Sequence, residues 1–121
     1  MKLLNDFFRI TATTADGCTV QFNPDHVIYQ AHFPGNPITP GVCIIQMITE
    51  VLEQRLGCHL TLHAVKNVKF IVPVSPLQQP SLDVHFAAVQ AADGQCSARG
   101  TITDAAGTVF TKFSLQYHQH E

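Results

Sequence analysis

A chain of 121 residues with 45% hydrophobic and 13% charged positions is long enough to bury one core and too short for two, and so small a charged fraction indicates that part of its surface is buried against another subunit. A formal charge of -2 and seven scattered Lys and Arg residues leave no electrostatic footprint for nucleic acid. No segment approaches the roughly 20 apolar residues of a membrane span, and the opening MKLLNDFFRI lacks the apolar stretch of a signal peptide, so a single cytoplasmic domain over residues 1–121 is expected.

In chain order, alternation in Phe8–Ala12 and Cys18–Phe22 on either side of Ala15-Asp16-Gly17 predicts a β-hairpin. Asn23-Pro24-Asp25 ends its second strand, and Val27–Phe33 reads as a short extended approach. A helix is expected to start near Thr39, capped by its hydroxyl with Pro40 at the first helical position, and to stop at Gly57. Val42, Ile45, Ile48, Thr49 and Leu52 form one apolar stripe on it, and Ile44, Met47 and Val51 widen that stripe to most of the circumference, so the helix is expected to be surrounded by other structure. Four strand-like stretches follow, Thr61–Val72, Ser81–Gln90, Gln95–Thr103 and Thr108–His118, punctuated by Pro73, Pro76, Pro80, Asp93-Gly94 and Ala106-Gly107. Two strands, one buried helix and four more strands make an α+β fold in which a sheet curves about the helix. Cys18, Cys43, Cys58 and Cys96 have no CxxC spacing, which signals neither a metal site nor a redox pair.

The run from His32 to Gln46, HFPGNPITPGVCIIQ, carries the chemistry. A histidine in a Pro/Gly loop leads into an apolar helix, so an imidazole, the unpaired N–H groups of the first helical turn and a polar side chain on the helix can meet around one space. With Pro37, Pro40-Gly41-Val42 and, downstream, Val68-Lys69-Phe70, Pro73-Val74 and Pro76, this run resembles the active-site segment of the 3-hydroxyacyl-[acyl-carrier-protein] dehydratases, and the likeness covers roughly residues 20–118. The resemblance implies a hot-dog fold, a curved antiparallel sheet wrapped around one long helix. It also implies a site shared between two subunits, so a homodimer or higher homo-oligomer is expected, or a heterodimer with a related dehydratase. The family's leading helix is not matched in the short stretch ahead of residue 20.

For His32 the resemblance implies the acid/base, and an unperturbed imidazole pKa of about 6.5 suits removal and return of a proton. Gly41 and Val42 N–H groups, at the positive end of the helix dipole, are expected to hold the enolate-like oxygen of a thioester. Phe33, Phe70 and Ile71 are expected to line an acyl tunnel, although core packing uses such residues equally well. Gln46 stands where the family has a carboxylate; an amide binds the 3-hydroxyl but cannot protonate it, and Gln46→Glu is expected to raise turnover. Glu50, one turn on at about 5.4 Å, reads as a solvent-facing or interfacial charge rather than a substitute acid. Arg55, Lys66 and Lys69 are candidates for meeting an acidic carrier protein, against the plainer reading as solvated cations. His26, His59, His63, His85, His118 and His120 read as surface or strand residues.

The function so implied is dehydration of a 3-hydroxyacyl thioester on acyl carrier protein to the trans-2-enoyl thioester, in fatty-acid or polyene-type biosynthesis, without metal or organic cofactor. Three alternatives stand beside it: a weakly active or inactive dehydratase-like subunit, an acyl-binding module, and a hot-dog thioesterase, against which Gln46 argues because that chemistry usually relies on a helix carboxylate.

Overall fold

The computed structural model describes residues 1–32 and 35–120. Its elements are β1 (Phe8–Thr13), β2 (Gly17–Phe22), α1 (Val27–Ala31), α2 (Gly41–Leu56), β3 (His59–Phe70), β4 (Ser81–Ala92), β5 (Gln95–Thr103) and β6 (Val109–His120). The strands form one six-stranded sheet in the order β1-β2-β4-β5-β6-β3, antiparallel at every pairing. The hairpin, the long helix and the four later strands stand where hydrophobic periodicity puts them.

Alternation accounts for the sheet's inner face. Cys18, Val20 and Phe22 on β2, Leu82, Val84 and Phe86 on β4, and Phe113, Leu115 and Tyr117 on β6 are buried, while intervening positions are more exposed. Against this face packs α2, through Cys43, Ile44, Met47, Ile48, Val51 and Leu52. The sheet bends through bulges. The β3–β6 register slips between Leu62 and Ala64 and again between Val65 and Asn67, and the β4–β5 register slips between Phe86 and Ala88. At the last slip Gly100 lies so close to the His85 carbonyl that a Cβ would fall 1.9 Å from its oxygen. This is the hot-dog arrangement, a curved sheet around one helix.

Three local expectations are corrected. Val27–Ala31 is helical rather than extended: His26 caps it, its Nδ1 accepting from Ile28 N at 3.0 Å, and buried Tyr29 anchors it, stacked on Phe7. Five residues are too few to show helical periodicity. Helix α2 begins at Gly41 with Pro40 at the N-cap position, and the Thr39 hydroxyl does not cap it because it pairs with Tyr29 Oη at 2.8 Å. Val42 is 65% exposed and Ile45 only half-buried, so the buried stripe is rotated from the expected one toward Ile44 and Met47. The stop at Gly57 holds, with φ 67° and its N–H donating to Glu53 O at 2.8 Å. All four cysteines are free.

Candidate active site

The entry to α2 is fixed from both sides. Tyr29 Oη holds the Thr39 side chain, and Thr39 N donates to Val74 O at 2.8 Å. Burial pushes the Tyr29 phenol well above its usual range, so this contact is made by a protonated hydroxyl. The first intrahelical bonds are those of Cys43 and Ile44 to Pro40 O. Among the described residues the N–H groups of Gly41 and Val42 have no acceptor, and they stand at the positive end of a 16-residue helix. The tip of the Phe70 ring, half-exposed at the end of β3, meets Gly41, where a Cβ would come 2.8 Å from Cζ. A larger residue at 41 would push the ring aside. Ile71 beside it is also half-exposed, so two of the residues expected to line an acyl tunnel offer apolar surface close to the helix start. The third, Phe33, lies outside the described residues.

Below the entry, one face of α2 opens onto a cavity of about 450 Å³ between the helix, β3 and the N-terminal segment, walled by Val42, Ile45, Gln46, Thr49, Leu60 and Leu62 among others. Its polar side is a network. Gln46 Nε2 donates to Met1 O at 2.9 Å and to Glu50 Oε2 at 2.8 Å. Glu50 accepts from Leu3 N at 2.9 Å on each oxygen and from Leu4 N at 2.7 Å on Oε1. At 4% exposure it is neither solvent-facing nor a surface charge. A carboxylate so buried is retained only because donors surround it. Deeper in, Thr49 donates to Ile45 O at 2.9 Å, so Tyr117 Oη, 3.0 Å away, must be the donor to Thr49 Oγ1. Burial pushes the Tyr117 phenol up to about 12.

His32 closes α1, its backbone N–H donating to Ile28 O at 3.1 Å. The residue is exposed, its ring has no hydrogen-bond partner among the described residues, and it is not part of the cavity wall. Gln46 and Val42 therefore share one wall, Gly41 and Phe70 meet at the helix start, and His32 stands apart from the cavity of its own chain. Arg55 is not a free cation: it donates to the carbonyls of Thr14, Ala15 and Gly17 and lies over the Phe86 ring, clamping the β1–β2 turn. Lys66 and Lys69 are exposed on β3. In the sequence Glu50 stands one turn from Gln46 and reads as a solvent-facing or interfacial charge; the structure buries it and joins it to Gln46 through that i,i+4 spacing.

The model of the ApeI-like dehydratase family, ApeI dehydratase, matches residues 11–107. The 3-hydroxyacyl-[acyl-carrier-protein] dehydratase FabZ of Zymomonas mobilis is 35% identical over 94 residues, which cover 69% of this chain and 60% of that protein. This chain spans about half to three fifths of the length of the curated relatives it matches. Among solved structures, the dehydratase heterocomplex ApeI:P of Xenorhabdus doucetiae superposes with a TM-score of 0.58 at 17% identity, covering 87% of this chain and 89% of that one. A thioesterase of Haemophilus influenzae superposes at 0.61 with 11% identity, covering 93% and 77%. At such identities these two likenesses speak for the fold.

Proposed function

Because the chain belongs to the ApeI-like dehydratase family, we propose that it removes water from a 3-hydroxyacyl thioester held on acyl carrier protein and yields the trans-2-enoyl thioester. The observation that carries this reading is the cavity along α2, with an apolar side made by Val42, Ile45, Leu60 and Leu62 and with Gln46 on its wall, next to a helix start whose Gly41 and Val42 N–H groups lack acceptors among the described residues. The acyl chain lies against Val42, Ile45 and the Phe70–Ile71 surface, with the thioester oxygen at the Gly41 and Val42 N–H groups. Removal of a C2 proton by His32 leaves enolate-like charge on that oxygen, and Gln46 holds the 3-hydroxyl.

Since His32 is not on the cavity wall of its own chain, a second copy supplies it in this reading. The edge strand β3 carries exposed Leu62, Val65 and Phe70, a surface suited to joining two sheets edge to edge in a two-fold dimer. A heterodimer with a related dehydratase uses the same edge. Among the described residues no helix is long and apolar enough to cross a membrane, and cytoplasmic action on a carrier-bound substrate is part of the proposal.

A thioesterase reading needs a carboxylate on the helix to activate water or attack. Both candidates are engaged: Glu50 by three backbone and side-chain donors, and Glu53 by Leu60 N and His59, each at 2.9 Å. The test is intact-mass spectrometry of 3-hydroxyacyl carrier protein incubated with the purified chain. Loss of one water is expected. Release of the acyl group supports the thioesterase, and binding without change supports a partner subunit or acyl-binding module.

A further inference from the structure

Gln46 and Glu50 are joined across one turn of α2, and the chemistry of that contact fixes which end of the amide faces the cavity. Gln46 Nε2 has two neighbours, the Met1 carbonyl at 2.9 Å and Glu50 Oε2 at 2.8 Å. Met1 O can only accept, and both oxygens of Glu50 already face backbone N–H groups, those of Leu3 and Leu4. An amide oxygen turned toward this pair of acceptors would meet repulsion on both sides, so the NH2 group occupies the position and spends both of its hydrogens there. The oxygen, Oε1, is thereby left facing the other way, and among the described residues it has no partner while its side chain lines the cavity.

We infer that Glu50 is a positioning residue that presents Gln46 to the substrate solely as a hydrogen-bond acceptor, so that the 3-hydroxyl donates to Gln46 Oε1 and the proton that turns this hydroxyl into water comes from His32. The inference rests on the dehydratase reading. In the step it describes, the imidazole of His32 takes the C2 proton, the C2–H electron pair forms the C1=C2 bond of an enolate and the carbonyl pair moves onto the thioester oxygen. The carbonyl then re-forms, the C1=C2 pair becomes C2=C3 as the C3–O bond breaks with its pair on oxygen, and the imidazolium returns its proton to that oxygen as water leaves. With the hydroxyl hydrogen committed to Oε1, an oxygen lone pair is turned toward the imidazolium. One histidine thus serves as base and acid, and the helix needs no carboxylic acid. Glu50 does not take that part itself, because its oxygens are occupied and it lies beneath Gln46 rather than at the free end of the amide.

The test uses the full chain and two variants. In Glu50→Gln the new side chain keeps Leu3 and Leu4 on its oxygen but turns an NH2 toward Gln46, so donor meets donor and the Gln46 amide must reverse. The expected result is a fall in kcat of about 10-fold or more with KM within about 3-fold, since an interaction used in the transition state is lost. The exchange variant Gln46→Glu/Glu50→Gln restores one donor facing one acceptor between positions 46 and 50 and is expected to be more stable than Gln46→Glu alone; the absence of such a gain overturns the inference. Side-chain amide NMR of the wild type supplies a readout independent of turnover and of variant folding: both Gln46 Nε2 protons are expected to exchange with solvent far more slowly than those of exposed Gln54. Fast exchange at Gln46, or a Glu50→Gln chain with unaltered kcat, overturns the inference. If the wild type shows slow amide exchange but no dehydration, the dehydratase reading fails while the orientation of Gln46 stands.

Discussion

The two faces of α2 differ in composition and in burial, and they do different work. On one face, Ile44, Met47, Ile48, Val51 and Leu52 are at most 2% exposed and fill the sheet's concavity. On the other, Val42 is 65% exposed, Ile45 is half-buried, and Gln46, Thr49 and Glu50 tie hydrogen bonds beside an open cavity. Apolar surface left uncovered forgoes roughly 25 cal/mol per Å², and burying a carboxylate is favourable only with donors gathered about it. The core face minimises both costs, whereas the cavity face accepts both. Such a departure from the rules of packing is expected where a surface is kept for binding.

The widest separation between the faces is in stability. Leu52→Ala is expected to cost about 2–5 kcal/mol by opening a void in the core, while Val42→Ala is expected to stay within about 0.5 kcal/mol. Denaturant unfolding of the pair checks this, and equal losses would mean that Val42 is packed. Next in size is His32→Ala, expected to lower turnover at least ~10²-fold. Its melting temperature should be unchanged, because the side chain is exposed and unpartnered among the described residues.

These contrasts also show what a reader of the sequence sees. The strands and α2 were legible because each repeats its apolar pattern over enough residues, as in Leu82, Val84 and Phe86 or Ile44, Met47 and Ile48. Helix α1 was not, being five residues long and held by the tertiary contacts of Tyr29. Thr39 has the chemistry of a cap, yet its hydroxyl is taken by a residue ten positions away. Gln46 lines a cavity with Val42, and Phe70 meets Gly41 at the helix start, but apolar spacing alone could not tell which side of α2 the sheet would cover. Glu50 was misread because its partners, the backbone N–H groups of Leu3 and Leu4, lie far off in sequence and leave no pattern there.

Gln46→Glu shows how the network alters an expectation from sequence. The introduced carboxylate would face Glu50 and the Met1 carbonyl, all acceptors, at the 2.8 and 2.9 Å now spanned by an NH2 group. Two carboxyl groups so close must share a proton. The single substitution is expected to cost about 1–3 kcal/mol and to bring no gain in turnover, while adding Glu50→Gln relieves it. Thermal melts of the single and double variants, with matched assays, decide this.

A smaller effect follows from the buried hydroxyl of Tyr117 that meets Thr49. Burial, partly offset by the bond with Thr49, pushes Tyr117 up to about 12 from its ordinary 10, and Cys18 is likewise pushed up by burial to about 11. A group whose folded pKa is raised contributes stability that is complete below its unfolded value and is lost as pH climbs through the folded one. Melting temperature is therefore expected to hold up to about pH 9, where the thiols of the unfolded chain begin to ionise, and to fall from there toward pH 12, less steeply above pH 10 in Tyr117→Phe.

The central claim, that the cavity face of α2 works with His32 on the C2 proton of a 3-hydroxyacyl thioester, is tested most directly by running the reaction backwards in D2O. From trans-2-enoyl carrier protein the wild type should form the 3-hydroxyacyl product with one carbon-bound deuterium at C2, and His32→Ala should form none at a comparable rate. Acyl release without hydration, or the same deuteration by the His32→Ala chain, would contradict it.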